Sequence, residues 1–119
     1  MSKKVLVIDD DRTLSKLVQG TLSLKGYQVT IAYDGEEGLE KLRQEKPDLI
    51  VLDVHMPKVN GYAFLLEAKE IVDLKTIPVI VLTAKEGMEE IFKTEGVREY
   101  LVKPFDPEKL LQVVERYIK

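Results

Sequence analysis

The chain has 119 residues, enough for one compact domain with a single hydrophobic core and too few for two. Hydrophobic residues make up 45% and charged residues 33%, a balance typical of globular proteins. The net charge of −3 argues against a nucleic-acid-binding surface, and the absence of cysteine excludes disulfides, cysteine-ligated zinc and thiol nucleophiles. No segment resembles a secretory signal or a membrane span. We therefore expect a soluble, cytoplasmic protein with no nucleic-acid partner and no membrane partner.

Five short apolar runs rich in β-branched residues predict five β-strands. Three of them, VLVI, LIVL and VIVL, are apolar throughout rather than alternating. This pattern is typical of strands that are covered on both faces, as in a parallel sheet. The predicted strands are Val5–Ile8, Val29–Ala32, Leu49–Leu52, Val79–Leu82 and Tyr100–Val102.

Amphipathic helical patterns separate these strands. The first pattern ends at Gly26, and Asp106 followed by Pro107 predicts the N-cap and first position of the last helix. Because strands and helices alternate, the predicted fold is α/β, a (βα)5 doubly wound five-stranded parallel sheet. The apolar helix faces are Leu14, Leu17, Val18 and Leu22 for the first helix and Leu110, Val113, Val114, Tyr117 and Ile118 for the last; the others are predicted around Gly38–Leu42, over Ala63–Val72 and, most weakly, over Met88–Phe92.

Polar residues directly follow four of the five predicted strands. In a doubly wound sheet the ligand site lies at the carboxyl ends of the strands, where the strand order reverses. We therefore expect these side chains to converge on one edge. They are Asp9, Asp10 and Asp11 after the first strand, Asp53 after the third, Thr83 after the fourth and Lys103 after the fifth.

The charges expected at this edge require a cation. Two carboxylates about 4 Å apart repel each other by roughly 4 kcal/mol at an effective dielectric constant of about 20. Lys103 supplies one positive charge, and an all-oxygen donor set favours a hard divalent ion such as Mg²⁺. A metal, a lysine and a hydroxyl around a carboxylate are the parts of a phosphoryl-transfer site, in which a nucleophilic carboxylate would become an aspartyl phosphate. These residue types alone leave open which carboxylate is the nucleophile.

Over its whole length the chain resembles the receiver domain of two-component response regulators, which has a flavodoxin-like fold. The resemblance rests on the pair Asp9-Asp10, on Asp53 in DVHMPKVNG, where the family has D-x-x-M-P-x-x-x-G, on Thr83-Ala84, and on Tyr100 with Lys103-Pro104. The order and spacing of these matches make the resemblance specific. It implies one receiver domain over residues 1–119, of the stand-alone, single-domain type.

The resemblance implies a role for each acidic residue. Asp53 would accept a phosphoryl group from a phosphohistidine. Asp10 would bind Mg²⁺, or Mn²⁺ in its place, directly, Asp9 would help through a water molecule, and Asp53 and the backbone carbonyl of His55 would be further metal ligands. Asp11 keeps the role of a helix N-cap.

The resemblance also implies a switch. Thr83 and Lys103 would hold phosphoryl oxygens, and Tyr100 would rotate inward after Thr83 moves. The surface of the fourth helix, the fifth strand and the fifth helix would then change for a downstream protein target. Thr83 and Lys103 are 20 positions apart, slightly fewer than in the family, which predicts a fourth helix that is short or displaced. A cis Lys103–Pro104 peptide bond is also expected.

The implied partners are a sensor histidine kinase or a histidine phosphotransfer protein, together with the downstream target. We expect a monomer that phosphorylation could join into a dimer. The protein would be a signalling switch that catalyses its own phosphorylation and dephosphorylation rather than an enzyme acting on a separate substrate.

Two other functions remain open from the residues. DDDRTL also fits D-x-D-x-T-L, which resembles the motif of haloacid-dehalogenase-type phosphatases, with Asp9 as the nucleophile and Asp11 as the acid and base. That alternative gives Asp53 no role. The chain could also be a degenerate receiver that binds partners without being phosphorylated.

Overall fold

Five parallel strands form one sheet in the part of the chain that the structure describes. This computed structural model describes residues 2–53, 61–83 and 97–118, with only the backbone at positions 61 and 62. The strand order is β2-β1-β3-β4-β5, so the order reverses between β1 and β3. The strands are β1 (Lys4–Ile8), β2 (Gln28–Ala32), β3 (Leu49–Asp53), β4 (Val79–Thr83) and β5 (Val97–Val102), and the described helices are α1 (Arg12–Ser23), α2 (Gly35–Glu45), α3 (Gly61–Ala68) and α4 (Pro107–Tyr117).

Aspartate side chains cap three of these helices at their N-termini. Asp11 accepts a hydrogen bond from the N–H of Leu14 at the start of α1, as predicted. Asp34 caps α2, and Asp106 caps α4 with Pro107 in its first turn. Each carboxylate satisfies a backbone donor that a helix start leaves unpaired, so these caps determine where the chain turns from strand end to helix.

The sheet separates two hydrophobic clusters. On one face, alternate residues of the strands pack against α2 and α3, with Phe64 and Leu65 fully buried. On the other face, the intervening strand residues pack against α1 and α4. Every residue of β3 and β4 is buried, which explains why these strands are apolar throughout up to their last residues, Asp53 and Thr83. The predicted doubly wound parallel sheet is confirmed.

Some predicted boundaries and one predicted core residue were wrong. Leu17 is 52% exposed, and Ser15 takes its place on the buried face of α1 beside Val18 and Leu22. Helix α3 ends at Ala68 rather than at Val72, and β5 begins at Val97 rather than at Tyr100. The predicted helix Met88–Phe92 lies outside the described residues, so α1–α4 number the described helices only. Among the residues that the structure describes, no helix is long and apolar enough to span a membrane.

Candidate functional site

Asp9 directly follows β1, and both its carboxylate oxygens and its backbone N–H are hydrogen-bonded. Its side chain is buried, with 0% of the residue exposed. One carboxylate oxygen, Oδ1, accepts a hydrogen bond from the N–H of Asp11 at 3.0 Å, and the other, Oδ2, accepts one from Lys103 Nζ at 3.0 Å. Its own N–H donates to the carbonyl of Ala32 at 3.0 Å, which ties the end of β1 to the end of β2.

Asp10, the next residue, differs from Asp9 in both exposure and hydrogen bonding. It is exposed, and its carboxylate makes no hydrogen bond or ion pair within the described ranges of the chain. One carboxylate oxygen each of Asp9, Asp10 and Asp53 lie within 4.8 Å of one another. Of the two neighbouring acids, Asp10 therefore has the carboxylate that is available to an incoming cation.

Asp53 ends β3 and is only 3% exposed. Its Oδ2 lies 3.3 Å from Lys103 Nζ, so Lys103 contacts two buried carboxylates at once. Burial by itself lowers the pKa of Lys103, but the hydrogen bond to Asp9 and the charges of Asp53 and Asp9 outweigh it, so the pKa of Lys103 is raised above its usual 10.5. Lys103 thus stays a cation at neutral pH.

The register between β4 and β5 brings Thr83 and Lys103 to the same edge. Thr83 pairs with Val102, and the N–H of Lys103 donates to the carbonyl of Thr83 at 2.7 Å. Thr83 is 1% exposed and directly follows Leu82, the partner of Asp53 in the neighbouring strand pair. Tyr100 is half-buried and packs against the hydrophobic cluster that includes α2 and α3.

The donor atoms at this edge fit a hard divalent cation. Three carboxylates within 4.8 Å of one another offer oxygen ligands, and Lys103 supplies only part of the charge that would neutralise them. Mg²⁺ binds one or two protein carboxylates and keeps the rest of its ligands as water, so this open arrangement with one exposed acid suits it.

The remaining site predictions have mixed outcomes. Asp11 caps α1 and is not part of the three-carboxylate cluster. The Lys103–Pro104 peptide bond is cis, as predicted. His55 lies outside the described residues.

Two features near the site were not predicted from the sequence. The Ser15 hydroxyl donates to the carbonyl of Asp9 at 3.1 Å from within the buried face of α1. The Arg12 guanidinium lies 4.0 Å from the centre of the Tyr33 ring at the end of β2. The signal for Ser15 was present, because a serine occurs at helical spacing with Val18 and Leu22 on an otherwise apolar stripe.

Comparison with known protein families points to the same kind of site as the geometry does. The family model for the response regulator receiver domain matches residues 5–115. The chain belongs to the response regulator receiver family. Members of this family are signalling switches, and the model that matches is not that of the phosphatases suggested by D-x-D-x-T-L.

Curated relatives are response regulators of greater length. The alkaline phosphatase synthesis transcriptional regulatory protein PhoP of Bacillus subtilis is 41% identical over 112 residues, which are 92% of this chain and 46% of PhoP. The response regulator MprA of Mycobacterium ulcerans is 39% identical over 113 residues, 93% of this chain and 48% of MprA. The chain spans about half the length of the curated relatives it matches.

Solved structures of similar length share the receiver fold. The chemotaxis response regulator CheY4 of Vibrio cholerae superposes with a TM-score of 0.91 at 35% identity, covering 98% of this chain and 99% of that one. The response regulator TrrA of Thermotoga maritima, solved in complex with Mg²⁺ and BeF, has a TM-score of 0.85 at 30% identity and covers 97% and 98% of the two chains.

Proposed function

We propose that residues 1–119 form one receiver domain in which Asp53 accepts a phosphoryl group from a phosphohistidine of a sensor histidine kinase or a histidine phosphotransfer protein. One observation carries this proposal: the buried Asp53 carboxylate lies 3.3 Å from the Lys103 ammonium and beside the Asp9 and Asp10 carboxylates. An acceptor aspartate needs an adjacent cation, because transfer brings an anionic phosphoryl group to a carboxylate that is already negative.

Asp10, Asp9 and Asp53 are the described residues that would hold the metal, together with the backbone carbonyl of His55 that the family resemblance implies. Because the Asp9 oxygens already accept from Asp11 and Lys103, we assign direct ligation to Asp10 and Asp53 and an indirect, water-mediated contact to Asp9. When bound, Mg²⁺ (or Mn²⁺) would neutralise charge on the acceptor and on the transferred group.

The protein's own residues provide the other parts of the transfer. A carboxylate oxygen of Asp53 forms the new P–O bond while the P–N bond of the phosphohistidine breaks, and the histidine nitrogen keeps the bonding electron pair and takes up a proton. Lys103 neutralises charge on the phosphoryl oxygens, and the Thr83 hydroxyl donates a hydrogen bond to one of them. In the same site, attack of water on the aspartyl phosphate would return Asp53 to its free form, so the chain would promote both reactions on itself.

Phosphorylation would then change a protein-binding surface. We propose that Thr83 moves toward the phosphoryl group and that Tyr100, now half-buried against the core, turns inward. The altered surface would include β5 and α4. A shift from 1:99 to 99:1 between two states needs about 5.5 kcal/mol of differential binding, and several charge-assisted hydrogen bonds to one dianionic group are of that order.

The partners of this domain would be proteins. We propose a cytoplasmic monomer that binds a phosphohistidine donor and a downstream target, with phosphorylation favouring a dimer. The net charge of −3 supports protein rather than nucleic-acid binding for these 119 residues. The transcriptional regulators among the relatives are about twice as long, so their printed names describe more than this domain.

Phosphorylation with acetyl phosphate tests the proposal. Wild-type protein incubated with acetyl phosphate and Mg²⁺ should gain one phosphoryl group by intact mass, and mapping after borohydride reduction should locate it at Asp53. Asp53→Asn should remain unlabelled, and EDTA should prevent labelling of the wild type. Asp48→Asn serves as the matched control, because Asp48 immediately precedes β3, at the end opposite to Asp53.

Three results would contradict the proposal. Steady hydrolysis of phosphate esters that depends on Asp9 would support the phosphatase alternative. The absence of any label, from acetyl phosphate or from a phosphorylated kinase, would support a degenerate receiver. Labelling of a residue other than Asp53 would show that Asp53 is not the phosphoryl acceptor.

A further inference from the structure

Ser15 is a buried polar residue on a helix face that otherwise contacts the core. It is 0% exposed and lies on α1 with Val18 and Leu22, which are each 1% exposed. Burying a hydroxyl without a hydrogen bond destabilises a protein. Helical serines often satisfy this need by donating to a carbonyl of their own helix. Ser15 instead donates to the carbonyl of Asp9, six positions earlier and outside α1.

This hydrogen bond completes a clamp on the backbone of Asp9. The N–H of Asp9 donates to Ala32 at the end of β2, and its carbonyl accepts from Ser15 in α1. That carbonyl belongs to the peptide group that joins Asp9 to Asp10. Because a peptide group is planar, fixing its oxygen also fixes the direction in which the chain enters Asp10.

Asp10 depends on this backbone for its position. Its carboxylate has no hydrogen bond or ion pair to the described parts of the chain, whereas the Asp9 carboxylate has two. No side-chain contact that the structure describes therefore aims the Asp10 carboxylate at Asp53. Its placement within 4.8 Å of the other two acids follows from the course of the main chain.

We propose that Ser15 is a positioning residue for the divalent cation: by holding the Asp9–Asp10 peptide group, it places the Asp10 carboxylate where a metal can bind it together with Asp53. This inference rests on the proposed function, since it assumes that the acidic cluster binds Mg²⁺. Ser15 does not touch the metal, so its effect appears in metal affinity rather than in the chemistry of transfer.

The test compares the Mg²⁺ dissociation constants of variants, measured from amide chemical shifts in NMR titrations without any phosphodonor. Ser15→Ala removes the donor, and we expect the dissociation constant to rise about 10-fold, the lower end of the range for groups that orient metal ligands. Thr21→Ala is the matched control, because Thr21 also donates its hydroxyl to a backbone carbonyl of α1, that of Leu17, but far from the site. Its dissociation constant should match that of the wild type.

Two further variants separate positioning from stability. Val18→Ala weakens the core beside Ser15 and should lower the free energy of unfolding while leaving the Mg²⁺ dissociation constant unchanged. Ser15→Thr keeps the hydroxyl but adds a methyl group at a fully buried position, so it should lose stability and retain wild-type affinity for Mg²⁺. At saturating Mg²⁺, Ser15→Ala should be labelled on Asp53 at the wild-type rate.

The outcomes distinguish this inference from the proposed function. An unchanged dissociation constant in Ser15→Ala, or an equal rise in Val18→Ala, would overturn the role of Ser15 while labelling of wild-type Asp53 still supports the proposed function. Conversely, a wild type that binds Mg²⁺ but is never labelled would overturn the proposed function, and a 10-fold weaker affinity in Ser15→Ala would still support the positioning role.

Discussion

At the amino edge of the sheet, charged side chains bind main-chain groups. Asp48 accepts a hydrogen bond from the N–H of Lys4 at 2.8 Å, and Arg98 donates to the carbonyl of Lys75 at 2.7 Å. At the carboxyl edge, charged side chains face one another, with Lys103 between the buried carboxylates of Asp9 and Asp53. Charged side chains at the amino edge therefore stabilise the entry of the strands. At the carboxyl edge the three clustered carboxylates carry more negative charge than Lys103 neutralises, so they repel one another unless a further cation binds.

Replacing a lysine at each edge should give the largest difference between the two edges, measured as the rate of Asp53 labelling. Lys103→Met removes the ammonium that contacts both buried acids, and we expect the rate of Asp53 labelling by acetyl phosphate to fall about 100-fold or more, as for loss of other preorganised charge stabilisers. Lys75→Met makes the same change at the amino edge and should leave the rate unchanged. Equal rates in the two variants would contradict the role given to Lys103.

Alanine substitutions at two glycines test how closely helices α2 and α1 are packed. Gly38 is in the first turn of α2, near the carboxyl edge, and a Cβ there would lie 2.8 Å from Ile8 Cδ1 and 3.2 Å from Phe64 Cε2. Gly38→Ala should therefore lower the free energy of unfolding by about 1–3 kcal/mol. Gly20, in the last part of α1, has open space around it, so Gly20→Ala should raise that free energy by roughly 0.5–1 kcal/mol through helix propensity.

Urea denaturation of the two glycine variants measures both free energies. Ile8 immediately precedes Asp9, so a shift of Ile8 in Gly38→Ala would also move the acidic site. Opposite signs in the two variants are the expected result. Destabilisation of similar size in both would mean that the close approach of α2 to β1 is not what requires glycine at position 38.

Substitutions of Asp10 and Asp48 should change the stability of the metal-free protein in opposite directions. Asp10→Ala relieves repulsion from Asp9 and Asp53, worth roughly 1 kcal/mol for charges about 4 Å apart in water, so the metal-free protein should become more stable. Asp48→Ala removes the acceptor for the N–H of Lys4 and should cost about 1 kcal/mol.

Adding Mg²⁺ sharpens this contrast. A ligand that binds only the folded state stabilises it by about 2.7 kcal/mol at 100 times its dissociation constant, so Mg²⁺ should raise the melting temperature of the wild type and of Asp48→Ala. The same addition should leave Asp10→Ala almost unchanged. A decrease in metal-free stability in Asp10→Ala would contradict the view that this edge is strained by like charges.

The sequence predicted the sheet and the convergence of the charged residues because both follow from strong local signals. Runs such as VLVI and LIVL are apolar on both sides, and the end of each run marks the edge at which Asp9, Asp53 or Lys103 must lie. What the sequence did not predict depends on contacts between elements. Leu17 is one position from Val18, about 100° around the helix, and only the packing of α1 shows that Ser15 rather than Leu17 faces the core.

The predicted end of α3 was wrong for a similar reason. Ile71 and Val72 continue the apolar pattern and still pack against the core. The hydrogen bonds change earlier, however: the N–H groups of Glu70 and Ile71 donate to carbonyls three residues back, at 3.1 and 2.9 Å, as in a turn. The N–H of Val72 still donates to a carbonyl four residues back, that of Ala68 at 3.0 Å, but the continuous helical ladder is already interrupted at Glu70 and Ile71. Burial thus extends beyond the regular helix, and the periodicity of a sequence reports only burial.

The smallest expected effect is the pH dependence of the stability that Lys103 contributes at the carboxyl edge. The pKa of Lys103 is raised in the folded state, so its ion pairs contribute stability that is fully present below the usual value of 10.5 and is lost as the pH rises through the raised value. The difference in free energy of unfolding between the wild type and Lys103→Met should therefore be constant from about pH 7 to pH 9 and shrink only above about pH 10.5. If burial dominated instead, the pKa of Lys103 would be lowered, and the difference in free energy of unfolding between the wild type and Lys103→Met would already shrink well below pH 10.5. Guanidinium denaturation across the alkaline range measures this difference.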